Sequence, residues 1–448
     1  MDRTHEGGSP AEGLIAGGLI ELSAPIERAV LVAAPHSGES ETLVDEHLEE
    51  LRLLTATAGA EVVATLVQRL KTPHPRLFIG TGKADELRAL AEYHDASLVV
   101  FDDDLSPAQG AALEKRLGIR VLDRTELILD IFALRARTAE SRVQVELAQL
   151  QYLRTRLKRM WTHLSRTQGG IGTRGPGETQ LETDRRIIDR RITRLRRQLK
   201  QIVRGRDTRR KARQDEFRVA LVGYTNTGKS SILRALSGKD VFVENRLFAT
   251  LDNSTRAVDL HGGYRVLFTD TVGFIRKLPH HLVASFRATL EEIADADLLV
   301  HVIDVSAPSW EHQAEAVDQV LADIGASERP VLLAFNKIDR LTHSEDEALR
   351  RRSAELYGDH VFTSALEPDG LADLTDELRR RCAVDRPTVE VSIPITDGRT
   401  LAEAYREADV FGRVDTESAV VLRARVPVEV LGRWRRTQGV TVREPDKT

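Results

Sequence analysis

The sequence predicts an α/β protein: a nucleotide-binding P-loop domain with a mainly parallel sheet, preceded by a small α/β domain and an antiparallel helical hairpin, and followed by a small α/β C-terminal domain. Three observations carry this. Strand-like apolar runs alternate with helical runs over residues 28–136 and again over 215–384, the pattern of βαβ units and parallel sheets. Between them, over 137–214, the strand signal disappears and two helical stripes take its place. The segment GYTNTGKS at 223–230 lies between an apolar run and a helical run, as a phosphate-binding loop must. A chain of 448 residues is also too long for one compact domain.

Taken in order, residues 1–27 read as a flexible leader. The N-terminal α/β domain shows strand runs at Ala29–Ala33, Glu61–Val67, Leu77–Ile79, Leu98–Phe101 and Arg120–Leu122, with a helix at Glu41–Ala58. In the hairpin, Leu150, Leu153, Leu157, Met160 and Leu164 step by three and four, as do Ile188, Ile192, Leu195, Leu199 and Ile202. The intervening stretch 165–179 holds five glycines and a proline and reads as a tip loop. Strand runs return at Phe217–Val222, Tyr264–Thr269, Leu298–Ile303, Val331–Phe335 and His360–Phe362. Arg386-Pro387 reads as a linker to a strand–helix–strand module over 385–448.

Composition narrows the class. Cys382 is the single cysteine, so an intrachain disulfide is excluded, and a reducing, cytoplasmic setting fits. No segment approaches the about 18 apolar residues of a membrane span, and the N-terminus lacks the basic lead of a signal peptide. Nothing requires a dimer, and a monomer is expected. The net charge of −4 conceals an asymmetry: Arg154–Arg213 carries 20 Lys/Arg against 5 Asp/Glu, a local +15, leaving −19 for the remainder. A solvated face with Arg–Glu pairs would need more carboxylates than that. Excess positive charge repels itself unless a polyanion is present, so RNA binding is the favoured reading. Arg166, Gly169, Gly170, Gly172, Arg174, Gly175 and Gly177 of the tip are the candidate RNA contacts. The tip has no aromatic side chain for base stacking, but its glycines allow close backbone approach to phosphates.

The nucleotide motifs can be argued residue by residue. The backbone of Gly223, Tyr224, Thr225, Asn226, Thr227 and Gly228 should converge on phosphate oxygens at a helix N-terminus. Lys229 should reach the β- and γ-phosphates, and the Ser230 hydroxyl should ligate Mg²⁺, with Ser231 beside it. In DTVG, Asp270 is placed to hold Mg²⁺ through water and the Gly273 N–H to meet the γ-phosphate. In NKID, Asp339 can accept from guanine N1–H and N2–H₂, which adenine does not offer, while Asn336 and Lys337 brace the loop. That choice selects GTP over ATP by roughly 10⁴–10⁵. Ser364, Ala365 and Leu366 can present backbone N–H to guanine O6. A P-loop GTPase domain that hydrolyses GTP to GDP and phosphate is therefore expected, with Lys229, Thr250 and Gly273 as the catalytic set.

Between the P-loop and DTVG, LFATLDNSTR at 247–256 should supply a threonine that closes on Mg²⁺. Thr250 is preferred, with Thr255 the alternative, and Phe248 is a further candidate nucleotide contact. Phe274 occupies the place after DTVG where many GTPases carry a water-orienting glutamine. An apolar ring cannot hold water, so hydrolysis by the isolated protein is expected to be slow, on the order of 10⁻⁴–10⁻² s⁻¹, until a partner places the water. GTGK at 80–83 is not a second P-loop, because Leu77 stands where a glycine is needed; a helix-capping turn is the better reading, and any ATP binding there should be weak.

GGIGTRGPGETQLETDRR (169–186), LFATLDNSTR (247–256), DTVGFIRKLPHHLVASF (270–286) and RLFIGTGKADEL (76–87) together resemble the HflX family of ribosome-associated GTPases, over about residues 28–383. The resemblance implies binding to the large ribosomal subunit and its ribosomal RNA, with the hairpin tip inserted toward the peptidyl-transferase region, and GTP-dependent splitting or rescue of stalled ribosomes under stress. It also implies ATP binding and RNA unwinding through the N-terminal part. Two departures stand out: Asn253 replaces the proline of the family's LDPTTR, and SALEPDG delays the glycine of the last motif to Gly370. The competing readings are a nucleotide-gated switch acting on a protein effector, which would not need the +15 hairpin, and ATP-assisted RNA remodelling, against which Asp339 argues.

Overall fold

A computed structural model describes residues 26–167, 176–211, 216–238, 247–260, 264–277, 282, 292–384 and 386–444. Residues 1–25 of the 1–27 leader and tip residues Gly169, Gly170, Gly172, Arg174 and Gly175 lie outside them.

The first unit alternates strictly: β1 (Arg28–Ala33), α1 (Glu41–Thr57), β2 (Glu61–Val67), α2 (Thr81–Tyr93), β3 (Leu98–Phe101), α3 (Pro107–Leu117), β4 (Arg120–Asp123) and α4 (Arg124–Arg135). Its sheet is parallel throughout, in the order β2-β1-β3-β4. The expected strand at Leu77–Ile79 does not form. Phe78 takes a left-handed φ of 64°, which breaks an extended run, although Leu77, Phe78 and Ile79 are still buried. Gly80, from the GTGK segment, is the N-cap of α2.

Helices α5 (Ala139–Thr167) and α6 (Pro176–Lys211) form the hairpin. Their shared core is Val143, Leu147, Ile192 and Leu195, with Leu150, Ile188, Leu199 and Ile202 packed around it. Leu153, an expected member of the stripe, is 44% exposed, whereas Val143 and Leu147, nearer the helix root, are buried; the side chains of Leu157, Met160 and Leu164 lie outside the described residues. The break is also shorter than the sequence suggested. Helix α5 runs through Arg166 to Thr167, and α6 starts at Pro176, taking in Gly177. Proline is tolerated in a first turn, where its missing N–H has no intrahelical partner to lose.

The next unit comprises β5 (Phe217–Val222), α7 (Lys229–Ser237), β6 (Ser254–Asp259), β7 (Arg265–Asp270), β8 (Leu298–Asp304), α8 (Trp310–Asp323), β9 (Val331–Asn336), α9 (His343–Leu356), β10 (His360–Thr363) and α10 (Ala372–Ala383). The sheet order is β10-β9-β8-β5-β7-β6, parallel except for the antiparallel β6–β7 pair. Strand β5 lies where the strand order reverses, and the groove beyond such a carboxyl end is the standard ligand position of an open α/β sheet. Strand β6 was not anticipated. Its sequence STRAVD buries only Val258, so it carries no apolar run.

The last unit has β11 (Thr388–Pro394), α11 (Gly398–Glu407), β12 (Asp409–Asp415), β13 (Ala419–Arg425), α12 (Val428–Trp434) and β14 (Thr441–Arg443) in an antiparallel sheet of order β12-β13-β11-β14. It is docked through Tyr264, whose hydroxyl donates to Asp409 at 3.0 Å and whose ring lies 3.9 Å beneath the Arg386 guanidinium.

The first and third units share one buried apolar cluster. It runs from Leu51, Leu54 and Phe132 to Tyr224, Leu247, Phe248, Leu251, Phe274 and Ile275. Beside it lies a buried charge network. Arg124 donates to Asp102 at 2.9 Å and to Glu50, Arg276 donates to Asp102 at 2.7 Å, and Lys277 pairs with Asp103 at 2.6 Å. Burial alone would raise the Asp102 carboxyl; Arg276, Arg124 and Lys277 overcome that and hold it below its ordinary range.

Candidate functional site: a phosphate loop, a hydroxyl–carboxylate cluster and a base loop

The loop after β5 depends on glycine at two points where no side chain fits. Gly223 has φ 151°, and a Cβ there would sit 2.3 Å from Val302 O. Gly228 has φ 99°, and a Cβ would sit 2.4 Å from Asn336 Nδ2. Helix α7 begins immediately at Lys229, so its N-terminal dipole faces the loop. The Lys229 ammonium is buried and donates to Gly223 O at 3.0 Å and Tyr224 O at 2.6 Å. Burial pushes it down to about 8; Asp270 works against that shift and Lys337 adds to it.

Three predicted metal-binding residues meet. Ser230 Oγ lies 2.8 Å from Thr250 Oγ1 and donates to Asp270 Oδ2 at 2.5 Å. Asp270 Oδ1 is buried and accepts no hydrogen bond. Burial raises this carboxyl, with Ser230 and Lys229 opposing the shift. A buried carboxylate oxygen left open beside two hydroxyls is a donor set that suits a hard divalent cation. Thr255 lies elsewhere, in β6, with its hydroxyl 3.1 Å from that of Thr269.

The segment after Asp270 is pinned to the P-loop. Phe274 N donates to Gly223 O at 3.1 Å, and Thr225 N to Phe274 O at 2.7 Å. A Cβ at Gly273 would stand 2.6 Å from Thr225 Cα, so this contact also requires glycine. The Phe274 ring is buried in the apolar cluster and offers nothing to water.

The loop that carries Asn336, Lys337 and Asp339 is tied to the P-loop. Asn336 Nδ2 donates to Thr227 O at 2.8 Å, and Lys337 Nζ to Asn226 O at 2.8 Å and Asp304 Oδ2 at 2.5 Å. Ser364 Oγ donates to Asp339 Oδ1 at 2.7 Å. Gly370 fills the role of the delayed glycine: its carbonyl accepts from Ser364 N at 2.8 Å, and a Cβ there would lie 2.2 Å from Ser364 O. Ala365 packs on the core, and Leu366 N donates to Ser364 Oγ at 3.3 Å while its side chain is exposed. Thr227 donates to Tyr224 O at 3.0 Å, closing the loop, and Ser231 is half-buried on α7.

Two candidates face away from the nucleotide groove. The Tyr224 hydroxyl donates to Glu50 and accepts from Arg276 N at 2.8 Å, so only its backbone faces the loop. Phe248, left-handed at φ 54°, stacks edge-on against Phe132 with centroids 4.7 Å apart, while its N–H donates to Thr225 Oγ1 at 3.0 Å. Sequence reasoning also missed Asp304 and the Glu50–Asp102–Arg276 network. The only available signals were a carboxylate ending the strand LVHVID and an Arg-Lys pair soon after DTVGF.

Family models agree with this layout. "GTP-binding GTPase N-terminal" matches residues 45–133, "GTP-binding GTPase Middle Region" 135–213, and "50S ribosome-binding GTPase" 218–337. A "GTPase HflX" of Magnetococcus marinus is 44% identical over 95% of this chain and 98% of its own length. The chain belongs to the HflX GTPase family. Another member, from Escherichia coli (strain K12), is 42% identical over 92% of this chain and 95% of its own. A solved GTP-binding protein of Sulfolobus solfataricus in complex with GDP is 25% identical, covers 79% of this chain and 98% of its own, and has a TM-score of 0.42. As an HflX-family protein, this chain is a GTPase built on an α/β P-loop domain, and no helix among the described residues is long and apolar enough to cross a membrane.

The lowered Lys229 gives a pH prediction. The free protein keeps this ammonium charged below about pH 8 and loses its proton above it, whereas bound phosphates need the charged form. GTP affinity should therefore be flat below pH 8 and fall by up to about tenfold per unit above it, with one proton taken up on binding. Calorimetry in buffers of different ionisation enthalpy reads that proton; no uptake at pH 9 would contradict the assignment.

Proposed function

We propose that this HflX-family GTPase binds the large ribosomal subunit through its basic hairpin and uses GTP to split or rescue stalled ribosomes under stress. Lys229 steadies the β- and γ-phosphates, and Ser230, Thr250 and Asp270 would hold Mg²⁺. The ion, when bound, neutralises charge developing between the β- and γ-oxygens. The Gly273 N–H meets the γ-phosphate, Asp339 reads guanine with Asn336 and Lys337 bracing its loop, and the Ser364–Leu366 backbone meets guanine O6. With Phe274 turned into the core, hydrolysis is slow until the partner places the attacking water.

The observation that carries the reading is the hairpin's charge. Some of its arginines are committed internally: Arg156 to Glu126, Arg154 to Asp189 at 3.3 Å, and Arg191 to Glu146 at 2.7 Å. Arg190, Arg194, Arg196, Arg197 and Lys200 remain exposed along α6. A run of cations beside a glycine-rich tip suits an RNA backbone better than a protein effector.

Sedimentation with purified large subunits, in a non-hydrolysable GTP analogue or GDP, tests this. Co-sedimentation should fall about 10³-fold in affinity between 50 and 200 mM salt if about six phosphates are contacted. Deleting 166–177 should abolish splitting and leave GTP affinity within about twofold. A salt-insensitive complex, or no complex in either nucleotide state, overturns the proposal.

A further inference from the structure

The segment that carries Thr250 also grips the root of the hairpin. Asp252 Oδ2 accepts the backbone N–H of Arg137 at 3.1 Å and of Thr138 at 3.2 Å, and Asp252 Oδ1 accepts the Thr138 hydroxyl at 2.6 Å. Residues 137 and 138 are the junction between α4 and α5. The Thr138 hydroxyl oxygen meanwhile accepts from Ser141 N at 3.1 Å, capping α5. A hydroxyl has a single proton to give, and here it goes to Asp252. Helix α5 thus has a local cap already. The carboxylate contributed from the segment 247–256 adds a tie to another unit, favoured further by its place at a helix N-terminus.

Asp252 is two residues from Thr250, whose hydroxyl meets Ser230, and the intervening Leu251 is buried in the cluster shared with the first unit. On the far side, Asn253 Nδ2 donates to Glu292 at 2.7 Å. Residues 250–253 are therefore anchored in succession to the cation-binding hydroxyls, the core, the hairpin root and Glu292. A GTPase segment whose threonine is held by the γ-phosphate and its cation is released on hydrolysis. Anything bonded two residues away must feel that release. Helix α5 spans 29 residues, about 40 Å, so a tilt of about 5° at its root displaces the far end by about 3–4 Å.

We propose that Asp252 is a latch that couples the nucleotide state at Thr250 to the orientation of the basic hairpin, making hairpin affinity for RNA depend on GTP and, reciprocally, making RNA engagement act on Thr250. The proposal rests on the readings of Thr250 and of the hairpin given above. Asp252 is a positioning residue, acting through Arg137 and Thr138.

The partner-free test is amide hydrogen exchange of the full chain in GDP and in a non-hydrolysable GTP analogue. The junction peptide around 133–142 should exchange at least threefold more slowly with the analogue, and Asp252→Ala should erase the difference. Thr138→Val should erase it from the hairpin side, and Thr138→Ser should restore it. In subunit binding, the wild-type preference for the analogue over GDP, expected at tenfold or more, should collapse to within twofold in Asp252→Ala and Thr138→Val. Nucleotide affinity should stay within threefold, which also reports that the variants fold. A wild type whose junction exchange ignores the nucleotide, or an Asp252→Ala protein that keeps the difference, overturns the latch. A wild type that shows the exchange difference but binds no large subunit overturns the ribosomal reading and leaves the latch standing.

Discussion

Replacing Lys229 with alanine should lower single-turnover GTP hydrolysis by about 10²–10³-fold at saturating nucleotide, the loss expected when one preorganised donor is removed from a site where charge develops. The position admits no substitute. Its ammonium is enclosed under the P-loop and held by Gly223 O and Tyr224 O. That enclosure pre-orders the loop, and the lowered proton affinity of the lysine records its cost. Bound phosphates would relieve that cost by supplying negative charge where the free protein offers carbonyl dipoles and the more distant Asp270. Lys229→Arg should therefore fail as well, because a planar fork cannot occupy a space shaped for a compact ammonium. The measurement is the hydrolysis rate with excess protein over GTP, alongside separate titration with a fluorescent nucleotide. A rate within tenfold of wild type at full occupancy would remove Lys229 from the chemistry.

What the sequence disclosed and what it withheld follow a physical division. Buried parallel strands such as Leu298–Asp304 and Val331–Asn336 are apolar runs, and a P-loop is a local backbone requirement; both are written in consecutive residues. Two of the edge strands are different. Ser254–Asp259 and Asp409–Asp415 are largely exposed, so no apolar run marks them. The hairpin stripe showed that two helices pair but not where the seam lies, and Leu153 ended up in solvent while Val143 and Leu147 took the core. The contact between the first and third units was the least legible feature. Tyr224 and Phe248 sit inside nucleotide motifs, yet their side chains serve the junction with Glu50 and Phe132. A motif states what the backbone must do; the direction of its side chains is set by a neighbour far away in sequence.

The same distinction shapes the expected effect of Asp339→Asn. Asn336 and Lys337 are tied to the P-loop through Thr227 O and Asn226 O, so changing either would disturb phosphate and base sites together. Asp339 is bonded to Ser364 and stands at the exposed edge of the loop, where a base would cover it. In the asparagine variant the amide oxygen can keep the bond from Ser364, but the second carboxylate oxygen becomes an NH₂ donor. Guanine would then meet a donor with its own N–H groups, and a covered, unmatched polar pair should lower GTP affinity by about 10⁴-fold. Xanthine carries a carbonyl where guanine carries its 2-amino group, so the new donor finds an acceptor, and xanthosine triphosphate should become the preferred substrate. Competition between the two nucleotides for the variant, read by displacement of a fluorescent analogue, measures the exchange of preference directly. If the variant still prefers GTP, guanine is recognised by other groups, and the backbone of Ser364–Leu366 would have to carry the selectivity that Asp339 is assigned.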